Sequence, residues 1–146
     1  ENSVENAVRE GLKYDNEVMI EKYIEGEEIT SFVLNGEVFP TILIKANKGE
    51  FFDYASKYDD GGANEEIVTL NEMQKKVNNI SKEIWSLLGC KGYARIDMII
   101  SNGEPYLLEV NTLPGMTTSS LIPKSAEAVG MSFTELLDRI IEYSLE

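Results

Sequence analysis

The chain has 146 residues, 42% of them hydrophobic, so it is long enough to bury one core. Its 13 basic and 26 acidic side chains give a net charge of −13, which argues against nonspecific binding to nucleic acid or to an anionic membrane surface, and no apolar run is long enough to span a bilayer. Histidine is absent and cysteine occurs once, which excludes Ser-His or Cys-His catalysis by this polypeptide alone, imidazole ligation of a metal and an intrachain disulfide.

The first third of the chain predicts a short helix followed by β-strands. Apolar residues recur at helical spacing after Ser3, which is placed to cap the helix. Period-two runs then predict three strands, at residues 18–23, 29–34 and 38–44. The last two are joined by Asn35-Gly36, a strong hairpin signal, and Pro40 favours an edge position for the third strand.

Residues 45–66 carry three glycines and many polar side chains, which predicts a long loop that is either functional or disordered. After it, Thr69 and Glu72 form a capping-box pattern that opens a predicted core-facing helix. The apolar residues of this helix are Met73, Val77, Ile80, Ile84, Leu87 and Leu88. The same capping pattern at Ser132 and Glu135 predicts a closing C-terminal helix, whose apolar residues extend to Ile141.

The stretch 92–116 predicts a β-hairpin that turns at Asn102-Gly103 and has one apolar face. The apolar pairs expected on the buried face are Ile96 with Val110, Met98 with Leu108, and Ile100 with Tyr106. The other face then sets Asp97 opposite Glu109 and Arg95 opposite Asn111. Because a plain two-residue turn would put the two carboxylates on opposite faces, this pairing requires an odd-numbered loop or a bulge.

Two directly opposed carboxylates repel each other, so this hairpin face indicates a bound cation. Mg²⁺ is held by one or two carboxylates together with substrate phosphates, and the Asn111 amide adds a neutral oxygen. Ordinary solvated charge on an exposed sheet face gives the same spacing and stays the alternative. The segment that follows, 111–121, has a Pro-Gly turn and a run of hydroxyl residues, which favours a loop that binds a carboxylate or phosphate over a solvated linker.

Three motifs, in order, resemble the C-terminal part of D-alanine-D-alanine ligases, which are members of the ATP-grasp superfamily. They are IEKYIEGEE at 20–28, FDYASKY at 52–58, and RID at 95–97 with LLEVNTLPGMT at 107–117 and SLIP at 120–123. The resemblance covers nearly the whole chain and implies an α+β fold, in which a mainly antiparallel sheet packs with helices in one domain over residues 1–146. It also implies that an N-terminal domain and a phosphate loop are absent, so we expect a fragment that is inactive alone.

The same resemblance implies a role for particular residues of the site. Asp97, Glu109 and Asn111 are implied to bind Mg²⁺, for which Mn²⁺ can substitute. The residues that it implies contact ATP are Glu21, Lys22, Tyr23, Ile24 and Glu28. The residues that it implies act at the reacting groups are Arg95, Lys57, Tyr58, Gly115 and Ser120. Ser120 and Leu121 are implied to hold the carboxylate of the second substrate.

The implied activity is the ATP-dependent joining of two D-alanine molecules through an acyl phosphate, in the cytoplasm, for the synthesis of peptidoglycan precursors. Such phosphoryl transfer is catalysed mainly by positioning and charge neutralisation, which agrees with a site of carboxylates, one Arg and backbone N–H groups. The parent enzyme is implied to be a homodimer. Two alternatives stay open: a ligase that takes another D-amino or hydroxy acid as second substrate, and a non-catalytic acidic module that binds a nucleotide or a protein.

Overall fold

An antiparallel sheet packed with helices is the framework of the chain, described for residues 2–46, 63–68 and 72–145 by a computed structural model. The strands are β1 (Glu27–Leu34), β2 (Glu37–Val38), β3 (Ile42–Ala46), β4 (Ala63–Ile67), β5 (Tyr93–Ser101) and β6 (Glu104–Asn111). The helices are α1 (Asn2–Gly11), α2 (Glu72–Leu87), α3 (Leu121–Glu127) and α4 (Phe133–Ser144). The strand order is β4-β3-β1-β5-β6, and β2 pairs with β1 outside this path. The predicted α+β class is confirmed.

One face of the sheet packs against α2. The buried members of this core cluster are Ile29, Val33, Val77, Ile84, Ile96 and Met98. A hydrogen bond of 3.1 Å from the Ser81 hydroxyl to the Ser31 hydroxyl joins α2 to β1 within the same buried layer. The predicted core-facing helix is thus confirmed through Ile84, but Leu87 and Leu88 are exposed, because the apolar stripe continues beyond the residues that meet the cluster.

On the opposite face, two helices pack at one end of the sheet. Here α3 and α4 pack on Phe32 and Leu34 of β1, and the cluster also contains Phe39, Ile122, Ala126 and Leu136. Residues two apart on a strand share a face, so Thr30 and Glu28 continue this face beyond the helices. The part of this face beyond the helices is therefore polar along β1.

The capping box predicted for the last helix is confirmed. The Ser132 hydroxyl accepts a hydrogen bond from the Glu135 N–H at 3.3 Å, and the Glu135 carboxylate accepts one from the Ser132 N–H at 2.9 Å. The carboxylate also accepts from the Ser132 hydroxyl at 2.8 Å, and the two bonds from Ser132 to its charged form hold the pKa of Glu135 below its ordinary value. Ile141 is exposed, so the buried face of α4 is narrower than its apolar pattern.

Several predictions for the first third of the chain are wrong. The helix α1 already begins at Asn2, so Ser3 lies inside it and does not cap it. Residues 18–23 form no strand, because none of the described segments pairs with them in a hydrogen-bonded ladder. The strand predicted at 38–44 is split into β2 and β3, since Pro40 has no N–H to donate, and β3 is an inner strand between β1 and β4.

The loop predicted at 45–66 is shorter than its polar sequence indicates. Residues Ala63–Ile67 form β4, which pairs antiparallel with β3 as an outer strand, and the last residues of β3 also lie within the predicted loop. The remainder, 47–62, lies outside the described residues, as does Thr69 of the first predicted capping box. Among the helices of the described ranges, none has the length and apolar character needed to cross a membrane.

Candidate metal and nucleotide site

The β5–β6 hairpin brings four polar side chains to one face, as the alternation in the sequence predicts. Asp97 lies opposite Glu109, and Arg95 lies opposite Asn111. The neighbouring strand β1 adds Thr30, whose Cα is the partner of Asp97 on the other side of β5. Because directly paired residues project to the same side of a sheet, the polar face runs across three strands.

A bulge in β6 makes this arrangement possible. The turn is the two-residue Asn102-Gly103, both with positive φ (53° and 76°), and the register shifts between Asp97 and Met98. Leu108 is the extra residue, since Met98 pairs with Leu107 and Asp97 with Glu109. The predicted need for an odd loop or a bulge is confirmed.

The bulge overturns two of the predicted apolar pairs. Met98 is paired with Leu107 instead of Leu108, and Ile100 with Pro105 instead of Tyr106. The physical reason is that the extra residue on β6 shifts the partners between the bulge and the turn by one position. Tyr106 and Leu108, expected on the buried face, are each 46% exposed.

Asp97 is the best-anchored side chain of the site, at 3% exposure. Its Oδ1 accepts a hydrogen bond from the Thr30 hydroxyl at 2.6 Å and one from Arg95 Nε at 3.0 Å. Its Oδ2 accepts from Arg95 Nη2 at 2.7 Å and from Nε at 3.1 Å. A carboxylate this buried is stable only with its charge compensated, and Arg95 supplies the compensating charge.

Glu109 is far more exposed than the aspartate it faces. Its side chain is 58% accessible, and Oε1 lies 3.5 Å from Arg95 Nη2. The guanidinium therefore lies between two opposed carboxylates and reduces their repulsion. The space between these two carboxylates is where the opposed charges of the hairpin require a cation.

The donor set fits a magnesium ion that is shared with a phosphate ligand. Within the described ranges no three or more His, Cys, Asp or Glu side chains are grouped closely enough to hold a metal by themselves. Two carboxylates and one amide oxygen are what Mg²⁺ takes from a protein when phosphates and water complete its octahedron. The Asn111 Oδ1 accepts from the Leu113 N–H at 3.0 Å, which leaves one of its two lone pairs for an ion.

The loop after β6 presents backbone N–H groups and hydroxyls at the start of α3. The Ser120 hydroxyl accepts from the Thr117 N–H at 3.0 Å and lies 2.9 Å from the Thr117 hydroxyl. Gly115 lies against it, because a Cβ at this position would come within 3.3 Å of Ser120 Oγ. Leu121 is the first residue of α3, where backbone N–H groups have no partner inside the helix.

The segment expected to meet adenine passes along the end of β5. Residues 21–25 have no regular secondary structure; Glu21 and Lys22 are exposed, Tyr23 is 76% exposed, and Ile24 is half-buried. Close approach depends on Gly26, since a Cβ there would lie 2.2 Å from the Ile100 carbonyl oxygen. Glu28 follows on β1, two residues from Thr30 and on the same face. Lys57 and Tyr58 lie outside the described residues.

Thr30 is the member of the site that sequence reasoning missed. It stands at two-residue spacing from Glu28, so its place on a polar face was readable from β1 alone. The pairing of β1 with β5, which puts it beside Asp97, joins residues 67 positions apart and follows from no local pattern.

Comparison with known proteins identifies relatives over nearly the whole chain. A family model described as "D-ala D-ala ligase C-terminus" matches residues 1–142. A D-alanine–D-alanine ligase of Clostridium perfringens is 57% identical over 145 residues, which are 99% of this chain and 48% of the relative. One of Clostridium botulinum is 54% identical over 144 residues, again 48% of the relative. The chain thus spans about half the length of the curated relatives it matches.

Solved structures agree with these relatives. The D-alanine–D-alanine ligase of Bacillus anthracis, crystallised with ATP, superposes with a TM-score of 0.86 at 42% identity, over 99% of this chain and 47% of that one. A D-Ala:D-Ser ligase of Enterococcus faecalis, VanG, superposes with a TM-score of 0.80 at 31% identity, over 98% and 43% respectively. The fold expected from the sequence, the C-terminal part of an ATP-grasp fold, is confirmed.

Proposed function

The chain belongs to the D-alanine-D-alanine ligase family as its C-terminal part, and from that premise we propose that the whole protein joins two D-alanine molecules in an ATP-dependent reaction. In this reaction the γ-phosphoryl group of ATP passes to the carboxylate of one D-alanine, giving an acyl phosphate and ADP. The amine of the second D-alanine then attacks the acyl carbon, and phosphate leaves with the P–O bond intact. The observation that carries the proposal is the pairing of Asp97 with Glu109 beside Arg95 on one face of the sheet.

Asp97, Glu109 and Asn111 would hold Mg²⁺, with Mn²⁺ as a substitute. The bound ion neutralises phosphate charge and fixes the phosphate oxygens in position. The protein residues do the complementary work: Asp97 is fixed by its hydrogen bonds, and Glu109 is free to rotate towards an ion because its side chain is largely accessible. Support for these roles comes from the oxygen-only donor set on one face.

Arg95 has two successive partners in this proposal. In the structure the Arg95 guanidinium is bound to Asp97. Mg²⁺ held by these carboxylates would supply their charge compensation, and the Arg95 guanidinium would then be available to the negative oxygens of the transferred phosphoryl group. A guanidinium suits both partners because it binds carboxylate and phosphate through the same planar pair of donors.

The remaining binding groups surround this centre. Gly115, Ser120 and Leu121, at the start of α3, are proposed to donate N–H and O–H bonds to the developing oxyanion and to the carboxylate of the second D-alanine. Adenine is assigned to Glu21, Lys22, Tyr23 and Ile24, and the ribose hydroxyls to Glu28. Lys57 and Tyr58 are assigned to the closing loop from family resemblance alone. The product would serve peptidoglycan synthesis in the cytoplasm, with the whole enzyme a homodimer.

The test is turnover by the full-length protein, with ADP release and dipeptide formation measured in parallel. D-alanine should support both, and D-serine and D-lactate offered as second substrates should give far less product. Asp97→Asn should lower kcat/KM by more than the about 10–100-fold typical of an outer-sphere partner. The matched control is Asp138→Asn, because Asp138 is an exposed aspartate of α4 away from the hairpin. Failure of D-alanine to support ADP release, or equal activity of the two variants, would refute the proposal.

A further inference from the structure

We infer that Thr30 is a positioning residue for the metal site: its hydroxyl fixes the carboxylate of Asp97 in the orientation that a nucleotide-bound cation needs. The observation is the buried 2.6 Å hydrogen bond from Thr30 Oγ1 to Asp97 Oδ1, made across the β1–β5 pair. The inference rests on the proposed function, because it takes Asp97 to be a ligand of the ion. It extends the site to a strand that carries no metal ligand.

The two groups that hold Asp97 differ in stiffness. Thr30 is β-branched, so its χ1 is restricted, and at 3% exposure it has little room to change rotamer. Arg95 reaches Asp97 from two residues away on the same strand, through a long side chain with many rotatable bonds. Thr30 is therefore the fixed support, and Arg95 is the movable one.

The division of the contacts over the two carboxylate oxygens follows the same logic. Thr30 binds Oδ1, which also accepts from Arg95 Nε, whereas Oδ2 accepts from Arg95 Nη2 and Nε. If Arg95 turns to the phosphoryl group, Oδ2 would be left for the ion, and Oδ1 would keep its bond to Thr30. The Thr30 hydroxyl would then determine whether Oδ2 of Asp97 points towards the ion or rotates away from it. Outer-sphere partners orient metal ligands in this way in other proteins.

A purely structural role for the hydroxyl is the competing explanation, and the same strand offers a matched control. Ser31 is the next residue of β1, faces the opposite side of the sheet, and is as deeply buried. Its hydroxyl accepts a hydrogen bond from Ser81 at 3.1 Å and has no contact with the site. Ser31→Ala thus removes a comparable buried hydroxyl from the same strand without touching Asp97.

The experiment measures Mn²⁺ affinity by electron paramagnetic resonance, using the full-length protein and a non-hydrolysable ATP analogue. Thr30→Val, which replaces the hydroxyl by a methyl group, should weaken Mn²⁺ binding by about tenfold or more. Thr30→Ser keeps the hydroxyl but loses the β-branch, so it should weaken Mn²⁺ binding clearly less than Thr30→Ala, which should weaken it as Thr30→Val does. Ser31→Ala should leave Mn²⁺ affinity unchanged even if it lowers the melting temperature.

Comparison of Thr30→Ala with Thr30→Ser isolates the hydroxyl, so the test survives if Thr30→Val does not fold. Equal Mn²⁺ affinity of these two variants would overturn the inference, as would an equal loss in Ser31→Ala. Asp97→Asn in the same assay separates this inference from the proposed function. If Asp97→Asn abolishes Mn²⁺ binding and Thr30→Ala does not affect it, Thr30 has no positioning role; if Asp97→Asn has no effect, the metal site itself is wrong.

Discussion

At the scale of single residues, the site depends on how the charge of the buried Asp97 carboxylate is compensated. A buried carboxylate needs a compensating charge, and Arg95 supplies it at 2.7 Å, with side-chain exposures of 14% for Arg95 and 5% for Asp97. Removal of one partner of such a buried pair is far more destabilising than loss of an exposed ion pair, because the charge left behind stays desolvated. The same pair is the point at which a metal ion would compete with the protein's own cation.

Replacement of Arg95 by Met tests this competition through stability. Arg95→Met should lower the free energy of unfolding by about 3 kcal/mol in the absence of divalent ions, since Asp97 would remain buried without a counter-charge. Magnesium should restore part of this loss and should stabilise the variant more than the unchanged protein. The measurement is chemical denaturation with and without Mg²⁺, and Arg9→Met, at an exposed position of α1, is the control. A variant that is equally stable without Mg²⁺ would refute the charge-compensation argument.

At the scale of elements, the helix α2 supplies hydrogen bonds to the backbone where the chain breaks between β2 and β3. The ladder stops around Pro40, and the N–H of the next residue, Thr41, is buried there without a strand partner. Gln74 of α2 accepts from this N–H at 3.1 Å and donates to the Thr41 hydroxyl at 2.8 Å. The side chain thus replaces the missing strand contact and ties the helix to the sheet on the face away from the site.

Gln74→Met should therefore destabilise the fold. The substitution keeps the side-chain volume but leaves the Thr41 N–H unsatisfied, and a buried donor without a partner costs about 1–3 kcal/mol. Urea denaturation of the variant and the unchanged protein measures this loss of unfolding free energy. Lys75→Met, at the next position of α2, removes only an exposed ion pair with Glu72 and should change the unfolding free energy by less than about 0.5 kcal/mol. Equal effects of the two substitutions would show that the Gln74 bonds contribute nothing specific.

At the scale of the whole molecule, the sequence predicts the fold class and the centre of the site better than it predicts the connections. Alternation alone brought Asp97 opposite Glu109, because a period of two fixes which residues share a face. The partners nearer the turn were wrong, since nothing in the sequence marks Leu108 as the residue that β6 accommodates in a bulge.

Long-range strand pairing accounts for the other differences between the predicted and the observed strands. Residues 18–23 alternate like a strand, but a strand exists only with a neighbour, and none of the described segments pairs with them. β4 was missed for the converse reason, because its polar sequence is made a strand by the β3 edge beside it. Thr30 likewise lies in the site because β1 pairs with β5, and no local sequence pattern predicts that pairing.

A polypeptide of residues 1–146 alone should form no D-alanyl-D-alanine. It spans about half the length of its curated relatives, and of the residues assigned to adenine, Glu21, Lys22 and Tyr23 are exposed. The measurement is ADP release and dipeptide formation with the isolated polypeptide, and the full-length protein at the same concentration is the positive control. Turnover by residues 1–146 that disappears with Asp97→Asn would contradict this prediction; turnover that persists would point to a contaminating enzyme.

The most direct measurement is the position of the metal itself. Crystals of the full-length protein grown with Mn²⁺ and a non-hydrolysable ATP analogue should give an anomalous manganese peak in the ligand range of both Asp97 and Glu109, at about 2.1 Å as for an octahedral magnesium site. Thr30 should still donate to Asp97, and Arg95 should have turned to the phosphates. A nucleotide-bound manganese peak out of reach of both carboxylates, with Arg95 still paired to Asp97, would contradict the assignment of this sheet face to the metal.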